Sequence, residues 1–212
     1  MALYLKIDPW KPDEEKLAEA IRILLEGGVA AFPTETFYGL GADARNEAAV
    51  EKIFRIKGRN FRNPLSVIVA NDREVIPLVE EIPATAKILM QTFWPGPLTL
   101  IFRAAPSISS RLTGGTGKIG IRVSSHPVAR FLAAGLAGPL TATSANLSGG
   151  PECSSADAVI RTLGDLADAV IDGGPTPGGS GSTILDITVS PPRILREGAI
   201  PGGLIRDALR TR

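Results

Sequence analysis

Short apolar segments rich in β-branched residues alternate along this chain with segments whose apolar residues recur at helical spacing. The clearest helical segment, residues 12–28, begins with a proline and acidic residues and ends at two glycines. Its expected apolar face consists of Leu17, Ile21, Leu24 and Leu25. Residues 46–58 repeat this pattern, with Asn46 as the expected N-cap and Gly58 as the expected C-terminal stop. Such alternation of strands and helices predicts an α/β fold.

The remaining elements follow from the same patterns. Strands are expected at residues 29–32, 65–70, 97–102, 119–123, 140–143, 182–187 and 193–197. Helices are expected at residues 83–93, 126–135 and 154–165. The glycine- and proline-rich residues 172–183 lie between strand-like segments, so we interpret them as a functional loop and not as a domain boundary. The sequence therefore predicts a single domain over residues 1–212, with a core at about 13–200.

Composition restricts the class of protein. The chain has 212 residues, of which 44% are hydrophobic, so it can bury a substantial core. Its 23 Lys and Arg residues nearly balance its 22 Asp and Glu residues, which gives a formal net charge of +1. A protein that coats nucleic acid is expected to be strongly basic, so any anion-binding site in this chain must be local.

Cysteine and histidine each occur once, as Cys153 and His126, so neither an internal disulfide nor a Cys/His zinc site is predicted. His126 precedes a proline at an expected helix start, which favours a structural role over that of a general base. The N-terminus reaches charge and proline early, and no apolar stretch approaches the roughly 18 residues of a membrane span. We therefore expect a cytoplasmic protein without a membrane partner.

Five cations and no acid lie between residues 52 and 62, namely Lys52, Arg55, Lys57, Arg59 and Arg62. On charge alone, a solvated helix face explains them equally well. The position of Gly58 favours a binding site. Because the helix should end there, Lys57 and Arg59 are expected to project together from a loop, where they would suit phosphate or carboxylate oxygens.

Two threonines, Thr34 and Thr36, follow the strand expected at residues 29–32. Gly39 and Gly41 are expected to let the next segment, interpreted as a loop, fold tightly over these hydroxyls. This junction is predicted to form a pocket for a small polar molecule.

A second polar cluster, Ser144, Asn146 and Ser148, follows the strand expected at residues 140–143. Strand ends in α/β sheets often bind ligands, and these side chains suit an anion or a ribose. An Asx-type turn that merely closes the strand is the alternative, and it is favoured when the cluster is taken alone. Residues 179–183 repeat the same small polar pattern.

Seven segments then occur in a specific order. They are PTETFYGLG, KIFRIKGRNFRNPL, WPGPLTLIF, IGIRVSSHP, TSANLSG, GSGSTILDIT and ILREGAI. This order resembles the YrdC/Sua5 family of threonylcarbamoyl-adenylate synthases over about residues 28–200. The family resemblance implies one α/β domain, in which helices flank a twisted sheet of mixed parallel and antiparallel strands around a large concave cationic cavity. Longer family members append a second domain after a linker, and because this sequence stops at Arg212 we expect the single-domain form without the C-terminal Sua5 domain.

The reaction implied by the resemblance forms threonylcarbamoyl-AMP and pyrophosphate from L-threonine, bicarbonate and ATP. This nucleotidyltransferase reaction serves the t6A37 modification of tRNA. Mg²⁺ is expected on the ATP phosphates, without a metal site made by the protein itself. Expected partners are the t6A transferase proteins and tRNA, for a chain that is a monomer or a weak dimer.

The resemblance also implies particular site residues. The expected catalytic residues are Lys57, Arg59, Ser144 and Asn146. Those expected to bind L-threonine are Thr34, Thr36, Arg122 and Ala142. Those expected to bind ATP are Lys57, Arg59, Asn63, Lys118, Ser144, Asn146, Glu152, Ser182 and Arg196. Relatives often carry a small hydroxyl residue in place of Lys118, and two-domain relatives can carry a histidine in place of Ile68.

No general base is predicted, because Glu35, Asp43 and Asp186 could equally pair with basic side chains. Two alternative functions stay open. The first is an RNA-binding or ribosome-maturation factor without catalysis, which should spread its cations over a wide face. The second is a carbamoyl-adenylate-forming domain like that of hydrogenase maturation proteins.

Overall fold

The computed structural model describes residues 2–210, which form eleven β-strands and seven α-helices. The strands are β1 (Leu3–Lys6), β2 (Ala30–Pro33), β3 (Tyr38–Gly41), β4 (Val67–Ile68), β5 (Leu98–Arg103), β6 (Lys118–Arg122), β7 (Leu140–Thr141), β8 (Thr143–Ser144), β9 (Ala169–Asp172), β10 (Thr183–Asp186) and β11 (Arg193–Arg196). The α-helices are α1 (Glu14–Leu25), α2 (Glu47–Lys57), α3 (Ala84–Phe93), α4 (Ser110–Thr113), α5 (Pro127–Leu136), α6 (Ala156–Leu163) and α7 (Gly202–Arg210).

The strands form two mixed sheets. In the first, ordered β1-β9-β2-β3-β8, β9 pairs parallel with β1 and β2, while β3 pairs antiparallel with β2 and β8. In the second, ordered β11-β10-β5-β6-β4-β7, the pairs β10/β5 and β4/β6 are parallel and the others are antiparallel. The predicted α/β class with mixed strand directions is confirmed, and the strands divide between two sheets where one was expected.

The strand expected at residues 140–143 is divided at Ala142. β7 belongs to the second sheet and β8 to the first. Between them, the Ala142 backbone N–H donates to the Ser66 carbonyl oxygen over 2.8 Å. The chain therefore passes from one sheet to the other at Ala142, which places this residue at their boundary.

The helix α1 packs its apolar face against the first sheet. Leu17 and Leu24 are fully buried in a cluster with Phe32 of β2 and Leu132 of α5. Burying a side chain of this size contributes about 1.5–3 kcal/mol. Leu25, which the pattern assigned to the same face, is 54% exposed. A larger cluster joins α2, α3 and α7 to strands of both sheets.

Helix ends follow the local sequence closely. The Asn46 side chain caps α2 by accepting from the Ala49 N–H over 3.1 Å, and Gly58 ends the helix in the left-handed conformation at φ 59°. His126 caps α5, since its Nδ1 accepts from the Val128 N–H over 3.3 Å. The structural interpretations of all three residues are confirmed.

The segment after the Thr34–Thr36 junction is a strand and not the expected loop. Residues 38–41 form β3, which pairs with β2 as a hairpin. Gly39 and Gly41 are needed there for close packing. A Cβ on Gly39 would lie 3.2 Å from the Phe32 ring, and one on Gly41 would lie 2.4 Å from the Thr141 carbonyl oxygen.

Several short elements also differ from expectation. β1, β9, α4 and α7 were not predicted, and β4 occupies only Val67–Ile68 of the segment 65–70. These elements are short, and β1 and β9 pair with each other across more than 160 residues. Such pairing depends on contacts that a local pattern does not contain. Within residues 2–210, no helix is both long and apolar enough to cross a membrane.

Candidate functional site

A cavity of about 580 Å³ is lined by residues of both sheets. Its walls come from the turn between β2 and β3, from β3 and β8 of the first sheet, and from β4, β5, β6, β10 and β11 of the second. This volume lies within the roughly 300–1,000 Å³ of typical small-molecule sites. The site is therefore built where the two sheets meet.

Basic side chains outnumber acidic ones on the cavity lining. The basic side chains are Arg59, Lys118, Arg122 and Arg196. The acidic side chains are Glu152 and Asp186. In a chain whose net charge is only +1, this local excess of cations favours an anionic ligand.

The turn between β2 and β3 presents hydroxyl oxygens to the cavity. The Thr34 hydroxyl donates to the Phe37 carbonyl oxygen over 2.6 Å and lies 3.1 Å from the Thr36 hydroxyl. Because the Thr34 proton is directed at Phe37, the Thr36 hydroxyl donates to Thr34 and keeps its lone pairs for a ligand. The Gly178 N–H of the 172–183 loop donates to the Thr36 carbonyl oxygen over 2.9 Å, so this loop lies against the turn.

Arg122, at the end of β6, is held by an acid of the same turn. Its Nη1 donates to Glu35 Oε1 over 2.9 Å, and the Ser124 hydroxyl donates to Glu35 Oε2. The side chains of Arg122 and Glu35 are only 9% and 12% exposed. Burial lowers the pKa of Arg122, and the Glu35 carboxylate opposes this shift. The pair is thus a buried ion pair beside the cavity.

Lys57 does not project from a loop as expected. It is the last residue of α2 and only 4% exposed, and its Nζ donates to Ser144 O (2.6 Å), Asn146 O (2.9 Å) and Asn146 Oδ1 (2.9 Å). Burial and then the neighbouring charge of Arg59 lower the pKa of Lys57 to about 8. The physical reason for the difference is that α2 continues through Lys57, which directs the ammonium group inward to the oxygens after β8.

Asn146 completes this network from the other side. Its Oδ1 also accepts from the Ser144 hydroxyl over 2.7 Å, and its Nδ2 donates to the Gly150 carbonyl oxygen over 2.6 Å. The turn after β8 is therefore closed by its own side chains, as the turn interpretation proposed. Ser144 nevertheless lines the cavity, so this cluster combines a closed turn with a ligand-facing residue.

Arg59 is the member of the pair around Gly58 that lines the cavity. Its Nη2 donates to the Pro64 carbonyl oxygen over 3.2 Å and its Nη1 to the Thr143 hydroxyl over 3.5 Å. Burial lowers the pKa of Arg59, but a guanidinium stays protonated at physiological pH. The cavity wall beside β8 thus carries a permanent positive charge.

Two further basic residues line the wall formed by β6, β10 and β11. Lys118 Nζ donates to Asp186 Oδ2 over 2.8 Å. Burial raises the pKa of Asp186, but hydrogen bonds from Lys118 and Thr188 outweigh it and keep the pKa below its usual value. Arg196 donates to the Ser182 carbonyl and hydroxyl oxygens over 2.9 and 3.2 Å. Both cations are held in place while facing the cavity.

The cavity brings together most of the residues that the sequence singled out. On its lining are Thr34, Thr36, Arg59, Lys118, Arg122, Ala142, Ser144, Glu152, Ser182 and Arg196. Lys57, Asn63 and Asn146 are not on it. Lys57 and Asn146 lie behind Ser144, whereas Asn63 is exposed in a turn in which its N–H donates to the Asn60 carbonyl oxygen over 3.0 Å.

Of the three acids that the sequence left without a role, Asp43 pairs with Arg45 away from the cavity, and the other two pair with cations of the cavity lining. Glu35 pairs with Arg122, and Asp186 pairs with Lys118. For Glu35 the available signal was its place between Thr34 and Thr36, at the same junction as the ligand-facing hydroxyls. For Asp186 it was an acid inside an otherwise apolar strand pattern.

Known proteins resemble this chain over most of its length. The model of the Sua5/YciO/YrdC family, described as "Telomere recombination", matches residues 22–198. Threonylcarbamoyl-AMP synthase of Pyrococcus abyssi is 41% identical over 189 residues, which are 89% of this chain and 56% of that protein. Threonylcarbamoyl-AMP synthase of Bacillus subtilis is 41% identical over 203 residues, which are 95% of this chain and 58% of that protein.

The similarity extends to the three-dimensional structure. Sua5 of P. abyssi, solved in complex with L-threonine, superposes with a TM-score of 0.94 at 37% identity, covering 99% of this chain and 61% of that one. The chain thus spans less than two thirds of the length of these relatives. Its two-sheet architecture matches that of the shared region.

Proposed function

Because the chain belongs to the Sua5/YciO/YrdC family, we propose that it is an enzyme that forms threonylcarbamoyl-AMP and pyrophosphate from L-threonine, bicarbonate and ATP. The observation that carries this proposal is a single cavity whose lining combines the Thr36 hydroxyl and the Arg122 guanidinium with the further cations Arg59, Lys118 and Arg196. A reaction that joins an amino acid derivative to a nucleotide requires both substrates in one site.

The proposed amino-acid end comprises Thr34, Thr36, Arg122 and Ala142. Arg122 suits the α-carboxylate, because a guanidinium binds carboxylates with geometric specificity. The lone pairs of the Thr36 hydroxyl suit the amino group. Thr34 holds Thr36, and Ala142 places backbone groups at the boundary of the sheets.

The proposed nucleotide end uses the remaining cations of the lining. Arg59, Lys118 and Arg196 would face phosphate oxygens, with Ser144, Ser182, Glu152 and the nearby Asn63 as further ATP contacts. Among residues 2–210 no three His, Cys, Asp or Glu side chains cluster closely enough to hold a metal ion. Mg²⁺ would therefore be carried chiefly by the ATP phosphates, as is usual for this ion.

The chemistry needs two anions to approach each other. L-Threonine and bicarbonate give a carbamate and water. The carboxylate oxygen of the carbamate then attacks the α-phosphorus, the bond from that phosphorus to the α,β-bridging oxygen breaks, and the β- and γ-phosphates leave as pyrophosphate. Arg59 and Arg122 would offset the repulsion and stabilise the charge on the phosphoryl oxygens. This role requires positioned cations and no general base from the protein.

In the proposed catalytic group, Lys57 and Asn146 hold other residues in position and do not line the cavity themselves. All three Lys57 ammonium protons have acceptors in the segment that carries Ser144. We propose that Lys57 fixes this segment, so that Ser144 and Arg59 keep their positions on the cavity wall, and adds long-range positive charge to it.

The alternatives fit the site less well. A domain built for RNA should present its cations on a broad outer face, whereas four of them here line one cavity. A carbamoyl-adenylate-forming domain would not need the amino-acid end described above. We further propose that the product passes to t6A transferase proteins and their tRNA, that the chain works in the cytoplasm, and that it is a monomer or weak dimer.

One assay tests the proposal. Pyrophosphate release should require L-threonine, bicarbonate, ATP and Mg²⁺ together, and L-serine should be poorer by a modest factor, since one methyl group in a pocket is worth about 1–3 kcal/mol. Pyrophosphate release without threonine, or none with all four components, would contradict the proposal. Salt-sensitive RNA binding in place of pyrophosphate release would support the RNA-binding alternative.

A further inference from the structure

The ion pair between Arg122 and Glu35 has a feature that the proposed reaction does not use. Glu35 is absent from the cavity lining, yet it holds the cation that is on it. Its two carboxylate oxygens are both occupied, one by Arg122 Nη1 and the other by the Ser124 hydroxyl. Glu35 therefore contacts the site only through Arg122.

Arg122 keeps most of its donors for the cavity. A guanidinium has five N–H groups, and the described residues show one hydrogen bond from this side chain, to Glu35. No fully buried polar side-chain atom within residues 2–210 is left without a partner. The remaining nitrogens of Arg122 are therefore exposed to the cavity, where a ligand can accept hydrogen bonds from them.

We infer that Glu35 is a positioning residue that orients Arg122 for the carboxylate of the amino acid substrate. This inference rests on the proposed function and adds a residue to it. The bond from Nη1 to Oε1 stops the planar guanidinium from rotating, so its other edge keeps a fixed direction in the cavity that Thr36 and Ala142 also line.

Glu35 also sets the charge at this end of the cavity. Together Arg122 and Glu35 carry no net charge, whereas Arg59 forms no ion pair within residues 2–210. A polyanion such as a triphosphate is drawn to the unpaired cation, and a single carboxylate can still use the directional donors of Arg122. Glu35 thereby helps to keep the two anionic substrates at separate ends.

Ser124 supports this arrangement. It is fully buried, donates to Glu35 Oε2 and accepts from the His126 N–H over 3.2 Å. The carboxylate is thus fixed from a segment that follows β6, the strand that also carries Arg122. Replacing Ser124 loosens Glu35 while it leaves both charges in place.

The test measures L-threonine binding by calorimetry and then the KM values for L-threonine and ATP. Glu35→Gln should weaken L-threonine binding at least about tenfold and change the ATP KM less than about twofold, because a charge-assisted contact is lost at one end only. Glu35→Asp should recover part of the affinity. Ser124→Ala should weaken L-threonine binding about threefold in the same selective way.

Asp43→Asn is the matched control. The Asp43 side chain is 11% exposed and pairs with Arg45 over 2.8 Å, but neither residue lines the cavity. This variant should leave both affinities unchanged. Glu35→Gln with wild-type threonine affinity would overturn the inference, as would equal losses for threonine and ATP, or an equal loss in Asp43→Asn.

The variants separate this inference from the proposed function. If Glu35→Gln does not fold, Ser124→Ala decides the matter, and an unchanged threonine affinity there overturns the inference. If the wild-type protein binds L-threonine but releases no pyrophosphate, the proposed reaction fails while the Glu35 variants still report on binding. If the wild-type protein does not bind L-threonine, both fail.

Discussion

Two buried cations beside the cavity differ in the groups that surround their charge. Arg122 pairs with the Glu35 carboxylate, whereas Lys57 donates only to carbonyl and amide oxygens of Ser144 and Asn146. Arg122 keeps donors that face the cavity, and Lys57 has none left. Two cations of similar burial therefore differ in the contacts open to them: Arg122 has donors that face the cavity, and Lys57 holds part of the cavity wall in place.

The difference also affects the cost of burial. A buried charge without a counter-ion is expensive unless dipoles compensate it, and an ion pair becomes expensive when one partner is removed. The Arg122 network should thus be the more sensitive to substitution. The Lys57 network should be the more sensitive to pH, because burial has already lowered the pKa of Lys57 to about 8.

The largest expected effect is the change in the free energy of unfolding when Arg122 is replaced. Arg122→Met should lower the free energy of unfolding by about 3–5 kcal/mol, because it leaves the Glu35 carboxylate buried and unpaired. The double variant Arg122→Met/Glu35→Gln should recover much of this loss. Urea denaturation of the four proteins in this cycle measures both quantities. Additive losses would show that the two residues are not energetically coupled.

Lys57→Met should change the dependence of stability on pH. The ordinary Lys pKa of 10.5 applies to the unfolded chain, and the folded value is about 8. Between these values the unfolded state binds more protons, so the free energy of unfolding rises with pH. This contribution is complete above pH 10.5 and is lost as the pH falls through about 8.

The stability of wild type relative to Lys57→Met should therefore increase by up to about 3 kcal/mol between pH 7 and pH 10.5. Urea denaturation of both proteins across this range measures the increase, and groups elsewhere cancel in the difference. A difference that stays flat with pH would mean that the ammonium carries no net burial cost, and Lys57 would then resemble Arg122.

How much of the fold could be predicted from the sequence depends on how far apart in the sequence the contacting residues lie. The ends of α2 were predicted because Asn46 and Gly58 act within their own turn. The direction of Lys57 was not, because Lys57 bonds to oxygens 87 and 89 residues away. The same holds for β3, whose glycines are explained only by the Phe32 ring and the Thr141 carbonyl oxygen.

The candidate site shows the same limit. Its candidate residues could be singled out because they occur in specific motifs, and ten of them line one cavity. Glu35 and Asp186 could not be assigned, since an acid reveals its role only through the cation that the fold brings to it. The division of residues 140–143 between two sheets likewise depends on Ser66, far away in the sequence.

Arg59→Ala should lower turnover about 10²-fold, because in the proposed reaction this cation faces the charge that develops on the phosphoryl group. Arg62→Ala is the matched control from the same basic segment, since Arg62 is exposed and does not line the cavity. Steady-state pyrophosphate release measures both variants. Similar turnover in the two would show that Arg59 does not act on the reaction.

The smallest expected effect concerns Ser144, which lies in the segment that Lys57 holds. Ser144 lines the cavity, and its hydroxyl donates to Asn146 Oδ1 over 2.7 Å. This hydroxyl can turn to donate to a phosphate oxygen of ATP while Lys57 holds the segment. Ser144→Ala should weaken ATP binding by about 1–2 kcal/mol, as the loss of one hydrogen bond to a charged ligand does.

Ser148→Ala is the control for this change, because Ser148 lies in the same turn but is exposed and outside the cavity lining. Calorimetric titration with ATP should show weaker binding for Ser144→Ala alone, with unchanged L-threonine binding in both variants. Because Lys57 fixes the segment through the carbonyl oxygens of Ser144 and Asn146, neither substitution removes those bonds. Equal ATP affinity in both variants would mean that this turn only closes the strand, and that Lys57 supports structure without supporting a ligand contact at Ser144.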